Sequence, residues 1–431
     1  MAPRRQSQRH PSHAHSVAGP VSFLNPTKAY IKPADARDGQ DQVDPSAKSE
    51  GADAKPGNGG PIKPTDAAPA AAATGVYHLW RSRDNRKGRH AIIVPPRRGH
   101  TANGPTAVSH PDVSNSARGV MRGLWKMVAC YPVWDVSYDV ATIFTLGSII
   151  WVFNGFFVWL PEQSPDTEFG GEVDYGGGIT AFIGATIFEI GSVLLMFEAV
   201  NESRTQCFGW ALEEALEDGL RLRPRPGNCS HHHAETKSLL TTHRGRDTPA
   251  SAENRSWAWW PTREELRTHY FREIGFLACL AQFIGATIFW IAGLTGLPPI
   301  YDALSVPVAN GIYWLPQVVG GSGFIISGWL FMLETQPNWY RPAWGTLGWH
   351  IGFWNLVGAI GFTLCGALGF ASENESAAYA SVLATFIGSW AFLIGSVIQW
   401  YESLNKYPIN ISKKASAKYD SPDEEEESQD S

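Results

Sequence analysis

GSWAFLIGSVIQWYE, Gly388 to Glu402, shares its frame with two earlier stretches. Gly184 to Glu198 reads GATIFEIGSVLLMFE, and Gly320 to Glu334 reads GGSGFIISGWLFMLE. All three are Gly-x3-Phe-x-Ile-[Gly/Ser]-[Ser/Gly]-x5-Glu without a gap, and each lies in an apolar run of the length that crosses a bilayer. The runs before them share a second pattern. Gly147-x3-Trp151-x3-Gly155, Gly285-x3-Phe289-x3-Gly293 and Gly358-x3-Phe362-x3-Gly366 carry small and aromatic residues at four-residue spacing, hence on one helix face. The reading is an all-α membrane protein with six transmembrane helices in three tandem direct-repeat hairpins, flanked by disordered N- and C-terminal tails.

Gly147, Gly155, Gly184, Gly285, Gly293, Gly320, Gly358, Gly366 and Gly388 are expected to be helix-packing positions. Small residues let helices approach where lipid removes the hydrophobic drive. An aromatic between two glycines is expected to fill the gap opposite. Three direct units suggest a pseudo-threefold arrangement, with Glu198, Glu334 and Glu402 at one depth near the cytoplasmic interface. The expected partners of these carboxylates are nearby bases such as Arg204, Arg341 and Lys406. The sharper alternative is a carboxylate ring at a vestibule.

Glu189 stands apart, near the middle of the second span, where the aligned residues are Ile325 and Leu393. An intramembrane acid is costly and is a candidate proton or cation site by default. Asn154, Gln282, Asn355 and Gln399 are its candidate partners by depth. The plainer role is a hydrogen bond across helices.

The remaining chain divides by composition. Residues 1–117 are rich in Pro, Ala, Ser, Gly, Asp, Lys and His without a sustained apolar period, and are expected to be disordered. Within them Tyr77-His78-Leu79-Trp80 reads as an isolated apolar patch, with a docking motif as the alternative. Nothing there has the form of a signal-peptide core. Residues 118–138 open with Arg122 and Lys126 among Met121, Leu124, Trp125 and Val128, an interfacial basic helix for anionic lipid headgroups at 118–134. Hairpin repeat 1 covers 139–203, its first span ending at Pro161. The segment 204–261 reads as a largely disordered cytoplasmic loop with one short amphipathic helix at Leu212, Leu216 and Leu220. Its Cys229 and His231 to His233 are weighed as metal ligands and read as a solvated tract.

Hairpin repeat 2 covers 262–336. Thr262 and Glu265 form a capping box opening a helix that runs to about 294. Hairpin repeat 3 covers 345–405, and an acidic disordered tail occupies 406–431. Trp257, Trp259 and Trp260 are expected at the membrane interface.

No Lys or Arg occurs from 139 to 203, from 273 to 340 or from 342 to 405. Bases confined to the tails and inter-hairpin segments place both termini in the cytoplasm. The spans are compatible with plasma membrane, vacuole or endoplasmic reticulum. The five cysteines lack metal-finger or disulfide-framework spacing.

FIGSWAFLIGSVIQW at 386–400, with the small-residue helix before it, resembles the bacterial YrhK-like two-helix membrane domain. Residues from about 257 to 408 resemble fungal multi-pass integral membrane proteins through ELRTHYFREIGFLACLAQFIGATIFW, QVVGGSGFIISGWLFMLE and GWHIGFWNL. The resemblance implies fold and membrane location, with no activity, cofactor or site residues attached. The mitochondrial-carrier signature Pro-x-[Asp/Glu]-x-x-[Lys/Arg] is absent. With no HExxH, intramembrane Asp pair or Ser–His pair at plausible depth, the reading is non-enzymatic and without cofactor or nucleic-acid partner. The expected function is a scaffold or sensor whose cytoplasmic tails recruit protein partners. The alternative is a proton or small-ion transporter using Glu189.

Overall fold

The computed structural model describes residues 14–31, 77–94, 114–217 and 257–411. Six helices are long and apolar enough to cross a membrane. They are α3 (Val136–Gln163), α4 (Gly178–Val200), α7 (Ile274–Thr295), α8 (Leu315–Thr335), α9 (Leu347–Gly369) and α10 (Glu375–Ser403). Each packs on the next in chain order and α10 packs on α3, so the six close into a ring. Outward faces carry Phe153, Ile183, Ile284, Ile326, Leu364 and Ile387, all exposed. An apolar belt of that kind is what lipid covers, and a water-facing surface would not carry it. Pro161 lies inside α3 near its last turn, where the sequence pointed to the end of the span.

Aromatics fill the ring's centre. Trp151 of α3, Phe289 of α7 and Phe362 of α9 touch one another, with centroids 4.8–5.9 Å apart. Phe188 of α4 and Phe324 of α8 both meet Phe392 of α10. Aromatic pairs at such distances contribute about 0.5–1.5 kcal/mol each beyond area burial.

The glycines make these contacts fit. A Cβ on Gly184 would collide with Trp151, one on Gly320 with Phe289, and one on Gly388 would crowd Phe362. Reciprocally, Gly147 faces Phe188, Gly285 faces Phe324 and Gly358 faces Phe392. The remaining three meet the neighbouring hairpin: Gly293 on Ala185, Gly366 on Gln317 and Val318 and, where the ring closes, Gly155 on Phe386.

At the end of the bundle that carries the three glutamates sits a five-stranded sheet. Its strands are β1 (Ala14–Ala18), β2 (Lys28–Ile31), β3 (Tyr77–Arg81), β4 (Ala91–Val94) and β5 (Ile409–Ile411), in that order. The first four pair antiparallel, and β5 joins β4 in parallel. Leu79, Ala91 and Ile93 form its small core.

This corrects two expectations. Residues 14–31 and 77–94 are folded where the whole of 1–117 was expected to be disordered, and Tyr77–Trp80 belongs to the central strand. Ile409–Ile411 likewise departs from the disordered reading of 406–431. Strands this short cannot bury enough area alone. They depend on contacts with the bundle, among them Asn25 N–H to the Arg272 carbonyl at 2.8 Å and His90 N–H to the Lys406 carbonyl at 2.7 Å.

Between β3 and β4 the chain makes the single turn α1 (Ser82–Arg86) and then a left-handed residue at Gly88, φ +60°. The basic helix α2 (Ala117–Ala129) is capped by the Ser116 side chain. It exposes Met121, Leu124, Trp125 and Val128. Residues 204–217 include the amphipathic helix α5 (Phe208–Glu217). The Cys229 and His231–His233 tract lies outside the described residues. Trp257 and Trp259 are buried against Phe197 and Phe208, while Trp260 is exposed, so only one of the three could meet an interface.

The Thr262–Glu265 capping box is present and opens α6 (Arg263–Thr268). The long helix expected from 262 to about 294 is broken, however. A 3-10 turn at Tyr270–Arg272 and an extended Glu273 separate α6 from α7. The break lets Tyr270 turn inward, where its hydroxyl donates to the Val200 carbonyl at 3.0 Å.

Candidate functional site

Glu198, Glu334 and Glu402 close α4, α8 and α10, and all three are buried. Their partners come from α1 and the turn after it, more than a hundred positions earlier in the chain. Arg86 bridges two of them, with Nη1 2.8 Å from Glu198 Oε1 and Nη2 2.7 Å from Glu334 Oε2. Arg83 takes Glu402 through Nη2 at 2.8 Å, with Nε at 3.4 Å from the other oxygen. Arg89 adds Nη1 at 2.9 Å from Glu402 and 2.8 Å from Asp84. Ser82 donates to Glu334 at 2.6 Å, and Lys87 stands 3.5 Å from Glu198. Arg204, Arg341 and Lys406 were expected in these roles. Lys406 instead pairs with Asp135 at 2.6 Å and donates to the Lys87 carbonyl at 2.9 Å.

The seat is shaped by missing side chains. A Cβ on Gly348 would lie 2.5 Å from Arg83 Nε, and one on Gly275 would overlap a Glu334 oxygen. These glycines sit in the first turns of α9 and α7. The Arg86 guanidinium also lies over the Phe331 ring, 5.1 Å from its centroid.

Burying so many charges costs several kcal/mol per ion, and only good geometry offsets it. Burial opposes the charge on Arg83, but Glu402 outweighs it. For Arg86, Glu334 does the same, and both guanidiniums hold their protons more tightly than usual. At Lys87 burial wins over Glu198 and pushes the ammonium below its ordinary range.

Beneath this lock is a cavity of about 30 Å³, lined by Lys87 and the amides Gln282, Asn355 and Gln399 among others. That volume holds roughly one water. Phe188 and Phe392 also line it, and both belong to the buried core cluster that contains Trp151, Phe289 and Phe362.

Glu189 does not line the cavity. It sits on the seam between α4 and α7, where Thr287 donates to its Oε1 at 3.0 Å. None of the four expected partners reaches it. Asn154 bonds the Gly177 carbonyl and Thr180, and the other three face the cavity.

A further cluster adjoins the lock. Glu202, His269 and Glu273 bring one ligand atom each within 4.8 Å of one another. Burial, and then the Glu202 carboxylate, push the Glu273 carboxyl well above its usual range.

The sequence reading missed the four basic residues at 83–89. The signal was present: Arg81, Arg83, Arg86, Lys87 and Arg89 make a dense basic run directly after an apolar tetrapeptide. Comparison with protein-family models, curated proteins and solved structures gives no match.

Proposed function

We propose that the protein is a non-enzymatic membrane scaffold or sensor. In this reading its N-terminal sheet docks on the cytoplasmic end of the bundle through the glutamate ring, and the tails beyond it recruit protein partners. The observation that carries it is the buried lock, in which Arg83, Arg86, Lys87 and Arg89 engage all three helix-end glutamates. A segment held so specifically ties a water-exposed domain to the spans, so a change on either side is felt by the other. The buried aromatic cluster at the ring's centre also favours this reading over conduction.

The hairpins are read as three direct copies about a pseudo-threefold axis. The glycine–aromatic exchanges at aligned positions in all three support it. Bases confined to one side of the spans support cytoplasmic termini. Exposed Arg118 and Arg122 beside the bare apolar face of α2 support a seat on anionic headgroups.

The second reading is proton or cation movement through Glu189. It is favoured by one observation: Glu189 Oε2 is buried without a hydrogen-bond partner among the described residues. Flux in proteoliposomes with an internal pH reporter separates the two. The scaffold reading expects no flux under imposed pH and potential gradients. A proton or cation flux that disappears in Glu189→Gln overturns it.

A further inference from the structure

The junctions between neighbouring hairpins can be compared position by position. Counting from the glutamate that ends each pattern, the fourth residue on is Glu202, Asn338 or Lys406. Across the seam, the cap of the following helix is Glu273, Thr346 or, where the ring closes, Asp135. One junction therefore holds a cation against an anion, Lys406 and Asp135 at 2.6 Å. One holds two neutral residues, Asn338 and Thr346. The third sets two carboxylates, Glu202 and Glu273, against each other where the ring-closing junction has an ion pair.

A second feature of that junction supplies what a cation would need. The helix break after α6 brings His269 between the carboxylates, with Nε2 3.1 Å from Glu273 Oε1 and 3.9 Å from Glu202 Oε1. Donors bound to one zinc-class ion at about 2.0–2.2 Å stand about 3–4 Å apart. The other oxygen of Glu202 accepts from the Asn85 amide at 2.8 Å, which fixes the carboxylate's orientation as outer-shell partners of metal ligands do. Glu334 and Arg86 are the other charged groups facing Glu273, and both are already engaged in the lock. No Lys or Arg among the described residues lies within ion-pair distance of Glu202 or Glu273. Side-chain exposures of 12–23 % leave a path for an ion while keeping the donors ordered.

We infer that Glu202, His269 and Glu273 hold a divalent ion of the zinc class, which clamps the end of α4 to the start of α7 beside Asn85. Water completes the coordination. The ion stands where Lys406 supplies its ammonium in the equivalent junction. Through Asn85 it also braces the turn that carries Arg83 and Arg86.

The test is zinc titration of the full-length, chelator-stripped protein in micelles by calorimetry. It uses a background in which Cys229 is replaced by Ser and His231, His232 and His233 by Ala, so that this tract cannot contribute. One zinc per chain is expected, with a rise in unfolding temperature. Glu273→Gln and His269→Ala should each weaken binding at least about tenfold. Glu202→Lys is the folding-safe variant, because it copies the Lys406–Asp135 pair. It should abolish zinc binding while unfolding no lower than the metal-free parent. Absence of saturable binding in the parent overturns the inference. So does affinity unchanged by Glu202→Lys, and so does a parent whose unfolding responds to pH but not to zinc, the mark of a shared proton only.

Discussion

Arg86 and Glu334 lie 248 positions apart and meet at 2.7 Å, both buried. The same guanidinium holds Glu198 with its other nitrogen. One side chain from a polar segment thus joins the ends of two membrane helices. Arg86→Met would leave two buried carboxylates short of a partner, and breaking a buried pair typically costs about 3–5 kcal/mol. Chemical unfolding in micelles should register a loss of that size. A loss under about 1 kcal/mol would mean the carboxylates find other partners.

Gly348 tests the same contact without changing charge. A methyl group there meets Arg83 Nε at 2.5 Å and Cδ at 2.7 Å. Arg83 is pinned by Glu402 and has little room to give. Gly348→Ala should cost about 1–3 kcal/mol, as overpacking does, and should raise proteolysis within 77–94. Unchanged protection of that segment would show that the seat is looser than the geometry implies.

Lys87 gives a pH dependence with a definite sign. Its ammonium is disfavoured by burial, so its folded pKa lies below the ordinary 10.5. Between those two values the unfolded chain binds a proton that the folded chain does not, and stability rises with pH. Below the lowered value both states are charged, and the full penalty applies. The unfolding free energy of wild type minus that of Lys87→Met should therefore climb as pH rises through this window. A difference that falls with pH would contradict the assignment.

Trp151 touches Phe289 and Phe362 at the ring's centre and fills the space over Gly184. Trp151→Ala should cost about 3–5 kcal/mol, the range for large aromatic truncations in a packed core. Far smaller losses in micellar unfolding would indicate that the centre is not tightly packed.

The spans and the glutamate trio were legible because their signals are local. Apolar length, four-residue spacing and the ungapped Gly-to-Glu frame all lie within single helices. The packing roles of Gly184 and Gly320 followed for the same reason. The lock was not legible, because its order is not local. Among the described side chains, β3 and β4 bury Leu79, Ala91 and Ile93, and the residues around them read as a solvated basic tract. What orders the segment is three carboxylates from elsewhere in the chain. Glu202 and Glu273 were missed for a related reason: a continuous helix from 262 places His269 and Glu273 on a rod, whereas the break at Tyr270–Arg272 folds them against the end of α4.

Buried charge couples the N-terminal segment to the bundle. Arg83 and Glu402, 2.8 Å apart at the third helix end, give the most direct measurement. Unfolding free energies of wild type, Arg83→Met, Glu402→Gln and the double variant form a cycle that isolates the pair. A coupling of about 2–3 kcal/mol is expected, with the double variant more stable than the two single losses would sum to. Additivity to within about 0.5 kcal/mol would contradict it.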